Sequence, residues 1–86
     1  MKKKKYQCPC CGYYTINEGP GLYEICPVCF WEDDPIQRND EEFWGGANVP
    51  SLREARMNYK NYGACDENGL KYVRPPLPDE MEPGDD

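Results

Sequence analysis

Cys8, Cys11, Cys26 and Cys29 form two C-x2-C pairs separated by fourteen residues. Each pair carries a proline directly after its first cysteine, Pro9 and Pro27, which narrows the turn while the two intervening residues let both sulfurs face one ion. Two such turns side by side hold a tetrahedral Zn²⁺ or Fe ion at a sulfur distance of about 2.3 Å. The residue types favour neither metal, so zinc is the expected cofactor with iron as the alternative. Four thiolates around one ion leave no open position for a reactive water, and the chain has no histidine with which a cysteine could form a catalytic pair. The expectation is a non-enzymatic protein with no catalytic residues.

Two cysteines are surplus to a tetrahedral site. Cys10 lies between the ligands of the first pair, and because neighbouring side chains point apart, its sulfur is expected to face outward. Cys65 follows Gly63-Ala64. Both are candidate redox or accessory thiols, able to close a reversible disulfide if they meet. The plainer reading makes Cys10 a small residue in a tight turn and Cys65 a small buried hydrophobe.

The elements that must position these groups are few, because 86 residues make one domain with a thin core. The expected division is a flexible basic N-terminus over 1–5, a single domain over 6–74 and a disordered, proline-rich acidic tail over 75–86. A core this small commonly needs a staple, and a structural zinc site supplies roughly 10–16 kcal/mol that is inseparable from folding. Six cysteines could also make three disulfides in a secreted miniprotein. Against that, no apolar signal segment follows Met1 and no stretch approaches the ~18 apolar residues of a membrane span, so a cytoplasmic location with reduced thiols is expected.

Net charge is −6, and setting aside Lys2 to Lys5 leaves six basic residues against sixteen acidic ones, a balance of −10. A phosphate backbone needs a basic face, so the charge argues against DNA or RNA and leaves another protein as the expected partner. The acidic runs Glu32-Asp33-Asp34 and Asp40-Glu41-Glu42 lack the ligand order and central glycine of a calcium loop and read as a solvated acidic surface.

Lys4 to Gln7 and Tyr13 to Ile16 suit the arms of a small β-hairpin tipped by the first cysteine turn, and Leu22 to Ile25 suits a third strand running into the second. Gly12 fits a left-handed residue after the second sulfur; Phe30, at the equivalent place, predicts a different second turn. Trp31 reads as core, and Trp44, before Gly45-Gly46, retains an exposed recognition role as an option. Ser51-Leu52-Arg53-Glu54 is a capping box that opens one α-helix over about 51–62, with Leu52, Ala55, Tyr59 and Tyr62 as its apolar stripe and Gly63 as its stop. Arg53, Arg56 and Lys60 lie on the other side, facing Glu54, Asp33 or Asp34. A turn at Asp66 to Gly69 and a last strand over Leu70 to Val73 complete a small metal-stabilised α+β fold of zinc-ribbon hairpins with two cysteine knuckles plus one helix.

The string Cys8-Pro9-Cys10-Cys11-Gly12, then Tyr23 to Asp34, Gly45-Gly46-Ala47-Asn48, Ser51 to Glu54 and Gly63-Ala64-Cys65-Asp66, resembles the bacterial cysteine-rich CPCC family. That resemblance implies a small zinc-ribbon-like domain and no particular reaction. The two cysteine turns also resemble the knuckles of rubredoxin, which would imply an iron electron carrier. The pairs here are closer together than in that family, and Phe30 stands in place of its glycine.

Overall fold

The computed structural model describes residues 5–82. Lys2 to Lys4 of the lysine run and the acidic end 83–86 lie outside the described residues. The two cysteine segments fold into turns of one design. In the first, the Cys8 N–H donates to the Tyr13 carbonyl at 2.8 Å and the Gly12 N–H to the Cys8 carbonyl at 2.9 Å; in the second, Cys26 donates to Trp31 and Phe30 to Cys26, both at 2.8 Å. Gly12 has φ +85° and Phe30 φ +71°. The expectation of a different second turn is therefore corrected: Phe30 takes the glycine conformation.

Antiparallel bridges at Tyr6–Ile16 and Ile25–Glu32 close the two turns. The β part of the expected α+β fold goes no further, and the hairpin strands at 4–7, 13–16 and 22–25 do not form among the described residues. Pairing stops short of a ladder: Tyr6 and Ile16 exchange both backbone bonds, and Tyr23 and Glu24 bond to the Asp33 backbone, while neighbouring groups turn to other partners. The Tyr14 N–H donates to the Glu80 carbonyl at 2.7 Å, and the Asn17 N–H donates to both Glu24 carboxylate oxygens at 2.9 Å. Glu67–Tyr72 forms a 3-10 helix where a strand was expected from Leu70, because the Asp66 carboxylate caps the Asn68 N–H and the Asp66 carbonyl accepts from Gly69.

Helix α1, Pro35–Asn39, was not anticipated, although its start is written as an N-cap aspartate followed by proline. Asp34 accepts from the Ile36 and Gln37 N–H groups and, from the loop beyond, the Ala47 N–H at 2.9 Å. Helix α2, Leu52–Tyr62, begins at the Ser51–Glu54 capping box and stops at Gly63 in the left-handed region, as the sequence indicates. Leu52 and Ala55 are buried, Tyr59 packs against the core, and Tyr62 at the end of the stripe is 37% exposed. Its arginines pair with Glu42 (Arg53) and Glu41 (Arg56), not with Glu54, Asp33 or Asp34.

The reason Asp33 and Asp34 are not on a solvated surface is that both are buried and partnered. Asp33 accepts from the Gly21 N–H at 2.8 Å, from the Trp31 indole at 3.3 Å and from the Arg38 guanidinium at 3.1 Å. Beside them, buried Gln37 donates to the carbonyls of Phe43, Asn48 and Pro50 and accepts from the Asn48 backbone and side-chain amides. Asn48 in turn clasps the Glu32 backbone through both its amide atoms. These two side chains satisfy loop carbonyls and amides that no strand pairs.

Five of the ten residues in the buried hydrophobic cluster are cysteines, and Ile16, Val28, Trp31, Leu52 and Ala55 fill the space around them. Residues 75–82, expected as the start of a disordered tail, instead return to this body. Arg74 makes a two-pronged ion pair with buried Glu80, Pro78–Glu80 forms a short 3-10 helix, and Lys5 pairs with Asp79 at 3.2 Å. The sequence hid this because Glu80 is an acidic residue in an acidic segment until Arg74 and the Leu77 N–H meet it.

Candidate metal centre

Cys8, Cys11, Cys26 and Cys29 converge. Their sulfurs all lie within 4.8 Å of one another, with Cys8 and Cys29 at 3.6 Å and Cys11 and Cys26 at 3.7 Å. A tetrahedron with metal–sulfur bonds of about 2.3 Å has edges of about 3.8 Å, so these sulfurs stand at the spacing of ligands to one ion. A disulfide needs about 2.05 Å, and all six cysteines are free thiols. The geometry fits one tetrahedral cation and not a bridge.

Local hydrogen bonding sets each sulfur in place. Because each turn folds back on its first cysteine, both sulfurs of a C-x2-C pair fall on one side, and Trp31, Ile16 and Val28 share the buried cluster with the sulfurs. The Thr15 hydroxyl lies 3.0 Å from the Cys26 sulfur, a contact that the sequence does not reveal. Such outer contacts orient a ligand and tune its charge. Among the sulfurs, the Cys11 contact first and then those of Cys29 and Cys8 push Cys26 down. Conversely, Cys8 and Cys11 are pushed up, chiefly by hydrogen bonding to Cys11 and to Cys26 respectively. Four thiolates at these distances repel one another unless a cation sits among them.

Cys29 is pushed up most by Cys10. Cys10 is thus turned inward, 7% exposed, and the expectation of an outward sulfur is corrected. The Pro9 carbonyl is fixed by Arg56 at 2.8 Å, which ties the turn to α2 and leaves the Cys10 side chain within the core cluster. Cys65 is buried as expected, with its N–H on the Cys29 carbonyl at 2.8 Å and its carbonyl accepting from Asn58. Burial first, and then Cys10, raise the Cys65 thiol to about 12. A thiol held protonated and covered is a weak nucleophile.

Aromatic side chains roof the centre. Trp31 is fully buried, Tyr59 packs on the cluster and is raised to about 12, first by burial and then by Cys11, and the Phe30 ring stacks on Tyr72 at 5.0 Å. Only Cys11 among the four is partly open to solvent. No helix among the described residues is long and apolar enough to cross a membrane. The family model described as Cysteine-rich CPCC matches residues 6–80, and no curated protein matches the chain.

Proposed function

The chain belongs to the cysteine-rich CPCC family, and on that premise we propose that it is a non-enzymatic zinc-binding module whose four-cysteine centre is structural and whose surface binds another protein. The observation that carries this reading is the cluster of Cys8, Cys11, Cys26 and Cys29 within 4.8 Å inside a core that is half cysteine. An ion there closes its coordination shell with sulfur alone and holds the fold together, offering nothing to a substrate. Zinc suits a centre of thiolates with no redox task.

Protein purified without a metal-binding tag, analysed for zinc and iron by elemental mass spectrometry beside a visible spectrum, tests the reading. One zinc per chain and no colour supports it. The second reading is an iron electron carrier of the rubredoxin kind, favoured by one specific observation: Phe30 adopts φ +71° and the same turn hydrogen bonds as Gly12, so the missing glycine is no obstacle to paired iron-type knuckles. Stoichiometric iron with visible absorption would establish that reading and overturn the structural one.

A further inference from the structure

A groove of about 620 Å³ runs between α2 and the loop after α1, and none of the six cysteines lines it. Its apolar surface comes from Trp44 and Val49, each 73% exposed, with Met57 at 61% and Tyr62. Around them stand Glu54, Asp66 and Glu67, and no lysine or arginine lines the groove among the described residues. An acidic rim around an exposed indole selects its occupant by charge: a cation that also has a flat or aliphatic body.

Trp44 is presented by a fixed loop. Gln37, itself buried, holds the Phe43 carbonyl next to it at 3.1 Å, the Gly45 N–H donates to the Val49 carbonyl at 3.0 Å, and the Ala47 N–H is held by Asp34 at 2.9 Å. Gly46 is packed so closely that a Cβ there would stand 2.7 Å from the Asp34 carboxylate. A loop whose backbone is anchored at these points does not have to be ordered when a partner arrives, which lowers the cost of binding to the indole it carries. Indole is the best aromatic face for a cation, and a guanidinium combines that stacking with ion pairing to carboxylates.

We propose that this groove docks a basic segment of a partner protein in which arginine alternates with aliphatic residues, the guanidinium lying on Trp44 between Val49 and Met57 while Asp66 and Glu67 take the charge. The inference deepens the reading of the chain as a protein-binding module and rests on it, since α2 is seated on the cysteine core.

The probe is a fluorescein-labelled, end-blocked peptide of four Arg-Leu repeats, titrated with metal-loaded protein and followed by anisotropy. Trp44→Ala is expected to weaken binding at least tenfold, Trp44→Phe by less, and Glu67→Gln severalfold. Glu82→Gln, which removes the same charge outside the groove, is expected to leave binding unchanged. Equal binding by the parent and Trp44→Ala, equal losses in Glu67→Gln and Glu82→Gln, or equal affinity for a Glu-Leu repeat peptide would each overturn the proposal. So would a parent dimer in sedimentation velocity that Trp44→Ala dissolves, because the occupant would then be a second copy. Metal content measured on every variant separates the two readings: a chain that carries one zinc yet ignores the peptide loses the groove alone, and a chain without stoichiometric zinc loses the structural centre whatever the peptide does.

Discussion

Phe30 combines two opposing contributions in one residue. Its backbone sits in the left-handed region, which costs a non-glycine residue roughly 1–2 kcal/mol. The ring returns that stabilisation through its stack on Tyr72 and its contact with Gly69, where a Cβ would stand 2.9 Å from the Phe30 ring. The expected consequence is a reversal of the ordinary ranking of small residues. Phe30→Ala loses the ring and keeps the strain, whereas Phe30→Gly loses both, so the alanine variant should be less stable than the glycine variant by about 1 kcal/mol, read from urea midpoints of the metal-loaded proteins. At this scale the sequence was informative about the four sulfurs, since their spacing alone brings them to one point. It misled about Cys10 and Phe30, expected outward and in a different turn, because their placement depends on what packs above the turn.

Among the elements, α2 was legible from its capping box and its glycine stop because both signals are local. Helix α1 was overlooked because five residues give no periodicity, although Asp34-Pro35 marks its start. The strands failed for a different reason: aromatic and β-branched residues suited the pattern, but pairing is confined to single bridges at the turns, and Tyr14, next to one of them, gives its N–H to the distant carbonyl of Glu80. Asp34 joins these elements, capping α1 and holding the loop at Ala47. Burial works to raise its pKa, and the N–H groups of Ala47, Ile36 and Gln37 outweigh burial to leave it lowered. A carboxylate lowered in the folded state stabilises fully above its unfolded value of about 3.9 and loses that contribution as pH falls through the depressed value. Asp34→Asn should therefore lower the urea midpoint by an amount that stays constant between about pH 6 and pH 8, a range well above the titration. A difference that changed across that range would mean that another group governs the effect.

For the molecule as a whole, little regular structure is needed to reach a compact shape. The Cα radius of gyration is 12.1 Å, matching the ~12 Å expected of a globular chain of this length. Half of the buried cluster is cysteine, so an ion shared by three of these and the adjoining Cys11 would be the largest single contribution to the fold. Stripping it with a strong chelator under reducing conditions should collapse the amide NMR dispersion and expose Trp31 to fluorescence quenchers, with both recovering when zinc is returned. Retention of the native spectrum after verified metal loss would show that Trp31, Leu52 and their neighbours suffice. The size of this dependence was foreseeable from chain length and cysteine count. The polar part of the interior, with Gln37, Asn48, Asp33 and Glu80 all enclosed, was not. Polar residues read as surface until a three-dimensional neighbour consumes each donor and acceptor.

The pairing of Lys5 with Asp79 has a topological meaning as well as an electrostatic one. It brings the two limits of the described polypeptide side by side, reinforced by the Tyr6–Ile16 bridge and by Tyr14 holding the Glu80 carbonyl. The backbone is thereby almost a ring. A short peptide joining residue 82 to residue 5 would close it while keeping Glu80 and its contacts to Arg74 and Tyr14.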